Sequence, residues 1–261
     1  MPLIALLTDF GLADTYLAQM KSVILRRLPN ADFLDLTHQI PPQDLWTAGY
    51  HLATALPWLP PHTVTMAVVD PGVGTQRRIL LVQWEKQTVI APDNGLLTQA
   101  SLESIPRSCR MLRPDLPEFS DASPTFHGRD IFARIAARLA DGETVETLSL
   151  PVDANDIVRL PIQPSRNQDT WQLRVLAIDH FGNIITNLKG IEFPVGSQIE
   201  LAFKQRSITC PVTSTFAGVE NQQLLAYSGS SGKLEFAIRN GNAALDLDLA
   251  AGDSLTVHKL P

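Results

Sequence analysis

The residues best suited to chemistry stand on one short loop, Val69-Asp70-Pro71-Gly72-Val73-Gly74-Thr75-Gln76-Arg77-Arg78. It follows an alternating run, Thr63 to Val69, that reads as a strand and then breaks into a Pro and Gly turn. An ionised aspartate accepts hydrogen bonds only and can orient water or take its proton, while an arginine stays cationic and favours an anion beside it. In an open α/β sheet the ligand crevice lies outside the carboxyl ends of the strands, so Asp70 and Arg77 are expected to face a bound molecule. The same pair could equally be an ion pair that closes a turn. A second polar cluster, Ser123-Pro124-Thr125-Phe126-His127-Gly128-Arg129-Asp130, opens an Ala-rich amphipathic segment, Ile131 to Leu139, which places His127 near a helix N-terminus.

The elements that must hold these residues follow from the apolar pattern. Leu3 to Leu7 is a continuous apolar run that ends in Thr8-Asp9-Phe10-Gly11, a buried strand leading to an acid-bearing turn. Leu17, Met20, Ile24 and Leu28 recur at helical spacing, with Asp14 as the expected N-cap. Strands are expected over Ala31 to Leu36, Thr63 to Val69, Ile79 to Trp84 and Thr88 to Ala91, with a helix over Leu45 to Leu56 stopped by Pro57. This alternation predicts an α/β N-terminal domain, a mostly parallel sheet with helices on both faces, over residues 1–160. Residues 161–170, a polar segment punctuated by Pro161 and Pro164, read as a linker. Beyond it come short alternating runs, Gln172 to Ile178, Gln198 to Phe203, Leu224 to Tyr227, Leu234 to Ile238 and Ser254 to His258, separated by Gly turns. They predict a smaller all-β, barrel-like C-terminal domain over 171–261.

Composition narrows the class of function. The chain has 261 residues, 44% hydrophobic and 18% charged, with a formal net charge of −6 and no basic block, which argues against a nucleic-acid partner. No stretch reaches the length of a membrane span, so no membrane partner is expected. The two cysteines, Cys109 and Cys210, form neither a metal knuckle nor a disulfide framework, and a reducing, cytoplasmic setting fits. Asp9, Asp35, His38, Asp70, His127 and Asp130 could supply metal ligands, but no two histidines share helical ligand spacing and arginines flank Asp70 and His127. No metal and no cofactor are expected. A nucleophile elbow, a phosphate loop and a dinucleotide fingerprint are all missing from the sequence.

Five separated motifs then carry a resemblance: Thr8-Asp9-Phe10-Gly11, Val69 to Thr75 with Arg77, Ala91-Pro92-Asp93-Asn94-Gly95, Phe126-His127-Gly128-Arg129-Asp130 and Asp179-His180-Phe181-Gly182-Asn183. In this order, across nearly the whole chain, they resemble the S-adenosyl-L-methionine hydroxide adenosyltransferases, the adenosine-forming SAM hydrolases related to the fluorinase and chlorinase enzymes. The resemblance implies hydrolysis of SAM to adenosine and L-methionine by attack of an activated water on the ribose 5′ carbon. It implies a catalytic trio of Asp70, Arg77 and His127, and substrate binding by Asp9 at the ribose. Asp179, Phe181, Asn183, Ser230 and Phe216 would bind the adenine and methionine parts. It also implies a homotrimer with sites between subunits. The halogenating relatives have an aromatic residue in place of Asp70 and lack His127, so the intact trio favours water over halide. A halide-dependent adenosyltransferase and a non-catalytic SAM or adenosine sensor are the alternatives. Asn183 and Asn242 could instead be left-handed turn residues without a ligand.

Overall fold

The computed structural model describes residues 2–260. It divides into two compact units, residues 1–160 and 161–261. In the first unit the strands are β1 (Leu3–Thr8), β2 (Asp32–Thr37), β3 (Val64–Val68), β4 (Ile79–Gln83), β5 (Thr88–Pro92), β6 (Ser108–Leu112) and β7 (Ser149–Pro151). The helices are α1 (Tyr16–Arg27), α2 (Leu45–Ala55), α3 (Thr98–Glu103), α4 (Pro117–Ser120), α5 (Ala133–Ala140) and α6 (Val145–Leu148). The strands form one sheet in the order β2-β1-β3-β5-β4-β6-β7. β1 runs parallel to β2 and β3, and β3 parallel to β5. The next three pairings, β5–β4, β4–β6 and β6–β7, are antiparallel.

The expected mostly parallel sheet is therefore corrected to a mixed one. The cause is the connection Trp84 to Gln87, which is far too short for a crossover and can only turn the chain back as a hairpin. Both faces of the sheet are covered by helices, as its largely apolar, buried central strands β1, β3, β4 and β5 require. Ile4 and Leu6 of β1 pack toward Met20 and Ile24 of α1 and toward α5, while Ala5 and Leu7 pack toward Ala48 and Leu52 of α2. Each fully buried Ile, Leu or Met side chain among these contributes about 1.5–3 kcal/mol. α1 begins at Tyr16, and Thr15 rather than Asp14 holds the N-cap position, without a side-chain capping bond.

The second unit is a nearly closed antiparallel sheet. Its strands are β8 (Ser165–Asn167), β9 (Thr170–Ile178), β10 (Ile184–Lys189), β11 (Gln198–Phe203), β12 (Arg206–Pro211), β13 (Leu224–Ser228), β14 (Lys233–Ile238) and β15 (Ser254–Lys259), with a short helix α7 (Ala243–Leu247). They run in the order β12-β11-β15-β9-β10-β14-β13, and a bridge from Val212 to Ala226 joins the two ends. One apolar core, including Trp171, Leu201 and Phe236, fills it. The segment expected as a linker is partly built into this sheet, because β8 pairs with β9 and Arg166 stacks on the Trp171 ring at 4.5 Å. Among the described residues no helix is long and apolar enough to cross a membrane.

Candidate active site

Two carboxyl-terminal strand ends, the loop entering a third strand and one helix start meet in the first unit. β1 delivers Asp9, β3 delivers Asp70, and the loop returning into β4 delivers Arg77. His127 stands immediately before a π-helical turn, Gly128–Phe132, which runs on into α5. A π turn widens the helix by one residue and is found disproportionately at functional sites. The two loops are held against each other at Gly74. Its φ is +80°, and a Cβ there would lie 2.5 Å from the Pro124 carbonyl oxygen, so only glycine fits.

Asp70, Arg77 and His127 form one hydrogen-bonded unit. Arg77 Nε donates to Asp70 Oδ1 at 2.9 Å and to Oδ2 at 2.7 Å, and Nη2 also contacts Oδ2. The Asp70 and Arg77 side chains are only 4% and 8% exposed. Arg77 Nη2 lies 3.0 Å from His127 Nδ1. A guanidinium has donors only, so this bond requires a lone pair on Nδ1 and places the proton of the neutral ring on Nε2. Burial, followed by the Arg77 charge, holds His127 below its ordinary value of 6.5, against the opposing pull of Asp70 and Asp130. The neutral ring and the Arg77 bond thus support each other. Beneath the guanidinium the buried Phe132 ring lies 5.7 Å away.

A cleft of about 630 Å³ opens over this unit, and Asp9, Asp70 and His127 all line it. Arg77 does not: it sits behind the other two and meets the cleft through them, although the sequence suggested that it would face a ligand directly. Asp9 accepts a hydrogen bond from the Gln43 backbone at 2.8 Å through Oδ2. The turn that carries it is fixed by Thr8, whose hydroxyl meets His38 Nδ1 at 2.8 Å, and by Gly11 N donating to the His38 carbonyl. Asp130 steadies the histidine loop, accepting from Ser123 N at 2.9 Å and from Arg129. The Arg129 bond, foremost, holds its carboxyl below the usual range against the effect of burial.

An aromatic wall completes the cleft, and sequence reasoning misses it. Phe10, Tyr16 and Phe126 line the same cleft with ring centroids 5.8, 5.9 and 5.1 Å apart. Phe10 and Phe126 lie inside two of the five motifs, whereas nothing local marks Tyr16. Among the described residues no group of three or more His, Cys, Asp or Glu converges as a metal-binding set.

The remaining candidates all belong to the second unit. Asp179 closes its own turn: Oδ1 accepts from Phe181 N at 2.8 Å and Asn183 N at 2.9 Å, and Oδ2 accepts from Asn183 Nδ2 at 2.7 Å. Asn183 is buried, while the Phe181 ring is 74% exposed. Gly182, with φ +83°, lies against the Asn242 side chain, which caps α7 through Leu245 N. Neither Asn183 nor Asn242 is left-handed. Ser230 is exposed in the turn between β13 and β14. The half-exposed Phe216 ring lies 5.0 Å from Tyr227, whose hydroxyl donates to Glu235 at 2.5 Å. Burial pushes the Glu235 carboxyl up, Asp179 adds to that, and the Tyr227 bond opposes it.

Known proteins share this whole arrangement of chain. The (R)-S-adenosyl-L-methionine hydrolase of Thermus thermophilus is 42% identical over 94% of this chain and 95% of its own. The fluorinase of Nocardia brasiliensis is 28% identical over 98% of this chain and 96% of its own. Among solved structures, an uncharacterized conserved protein from Thermotoga maritima superposes with a TM-score of 0.88 at 31% identity, covering 98% of this chain and 99% of that one. Family models for the SAM hydroxide adenosyltransferase N-terminal and C-terminal domains match residues 4–149 and 173–256, and the chain belongs to that family.

Proposed function

We propose that this protein hydrolyses S-adenosyl-L-methionine to adenosine and L-methionine, with water attacking the ribose 5′ carbon in line with the departing sulfur. The observation that carries the reading is the Asp70–Arg77–His127 unit on the floor of a nucleoside-sized cleft, in a chain of this family. The sulfonium is already a good leaving group, so what remains to be supplied is an oxygen nucleophile held behind the carbon. The Asp70 carboxylate keeps lone pairs free beyond those that Arg77 uses, and it accepts from the water. His127, with its proton on Nε2, donates to the same water and fixes its orientation. As the C–O bond forms, the attacking oxygen loses a proton to Asp70, and the sulfonium charge leaves as that proton when methionine becomes a neutral thioether. Arg77 acts from behind, favouring the negative form of the site and holding both partners in register.

Asp9 binds the ribose hydroxyls as a bidentate acceptor. Asp179, Phe181, Asn183, Ser230 and Phe216 bind the adenine and methionine ends, contributed by a neighbouring chain of a cytoplasmic homotrimer. Mixing Asp70→Ala and Asn183→Ala subunits tests that sharing when turnover is read at SAM well below KM, where both variants are slow, because random assembly should return about a quarter of the sites to wild-type kcat/KM. The reaction itself is tested by incubating the protein with SAM in the presence of chloride and fluoride and separating the products. Free adenosine and methionine are expected. A 5′-halo nucleoside would indicate the halide-using reaction instead, and SAM bound but unchanged would indicate a sensor.

A further inference from the structure

The turn Ala91-Pro92-Asp93-Asn94-Gly95 supplies no residue to the lining of the cleft. We propose that Asn94 and Asp93 are positioning residues for the hydrolysis, pinning the two ends of the loop that carries Asp70 and Arg77. The inference rests on the function proposed above.

Asn94 Nδ2 donates to the carbonyl of Val69, the residue before Asp70, at 2.9 Å. Its Oδ1 accepts from Leu96 N at 3.2 Å, which fixes the orientation of the amide. The parallel ladder between β3 and β5 ends at Met66 and Ile90, so beyond that point the end of β3 is tied to the β5 side by this side chain. The other end of the loop is tied one residue earlier in the same turn. Asp93 N donates to the Arg78 carbonyl at 3.0 Å, and Arg78 Nε donates to Asp93 Oδ2 at 2.7 Å. Asp93 Oδ1 accepts from Val158 N at 2.8 Å, and its side chain is 3% exposed. Both oxygens are therefore committed to holding backbone and loop.

Two adjacent residues on the rigid end of β5 thus fix where the catalytic loop leaves β3 and where it enters β4. The separation of Asp70 from Arg77, and of both from His127, is inherited from those anchors. Misplacement of reacting groups by about 1 Å can cost on the order of a hundredfold in rate, so loss of either anchor is expected to act on turnover rather than on affinity.

Asn94→Ala and Asp93→Asn, checked for folding by near-UV circular dichroism and thermal midpoint, test this against wild type and Asp70→Ala. For the folded variants kcat should fall about tenfold or more while KM moves less than about threefold. The Arg77 Nε–H, bonded to Asp70, is followed in parallel by ¹⁵N NMR, and its exchange with solvent should accelerate in both variants. That signal is read without turnover, so it judges the anchors even if the protein does not hydrolyse SAM. Should Asp70→Ala retain full activity, the proposed function fails while the exchange result still decides the anchoring. If Asn94→Ala does not fold, Asp93→Asn decides. Unchanged Arg77 exchange, a kcat within about twofold of wild type, a loss carried by KM alone, or failure of both variants to fold would each overturn the proposal.

Discussion

The two units hold their polar residues by opposite means. In the first, Asp70 and Arg77 on one loop are bound to His127 on another across 50 residues of sequence, with the Asp70 and Arg77 side chains nearly inaccessible. In the second, Asp179 is satisfied entirely within its own turn, and that turn carries Phe181 with 74% of its surface exposed. The first arrangement is rigid because each member is fixed by distant neighbours. The second is a locally stable turn that presents an apolar ring, which suits binding. Chemistry and recognition should therefore respond differently to mutation.

The largest effect is expected where the long-range unit is broken. Asp70→Ala and His127→Ala should each slow SAM hydrolysis by at least about a hundredfold, with adenosine affinity by calorimetry nearly unchanged. Equal losses of rate and affinity would erase the contrast between the units. Breaking the local turn should do the reverse: Asn183→Ala removes the amide that holds Asp179 and should raise KM about tenfold, a smaller effect and one visible in adenosine titrations.

Acid provides a milder probe of the same contrast. His127 must be neutral to accept from Arg77, and burial and the Arg77 charge hold it below 6.5. Protonation on Nδ1 displaces that bond, so kcat/KM should stay level at neutral pH and fall only as pH drops below 6.5. Arg77→Gln removes the cation and should move this acid limb upward, on top of a loss of rate, whereas Asn183→Ala should leave the limb in place. A pH–rate series on the three proteins checks the sign. The smallest effect is expected from exhaustive chelation, which should leave turnover unchanged; loss with EDTA and recovery with a divalent ion would require a metal in the mechanism.

Much of this architecture is legible in the amino-acid sequence, and particular residues show why. Strand ends bearing acids are local features, so Asp9 and Asp70 stand out from an apolar run followed by a turn. Both helix-covered faces follow from central strands that are apolar on both sides. The antiparallel half of the sheet is signalled by the short β4–β5 connection, which the alternation of helices and strands obscures. The link from Arg77 to His127 is not encoded by spacing, and family resemblance rather than periodicity brings the two together. Nothing local foretells that Arg77 lies behind the cleft, nor that Asn94 reaches back to Val69. Such contacts depend on strand order, which a one-dimensional pattern does not contain. The π turn at Gly128–Phe132 is equally silent, since its residues fit an ordinary helix start.

Hydrolysis requires water to reach the 5′ carbon, and isotope labelling tests that most directly. Single-turnover reaction in H₂¹⁸O, followed by mass spectrometry of both products, should place one ¹⁸O in adenosine and none in methionine, and Asp70→Ala should form labelled adenosine at least about a hundredfold more slowly. Unlabelled adenosine, or label found only in the amino-acid product, would contradict attack at the ribose carbon and with it the role given to Asp70, Arg77 and His127.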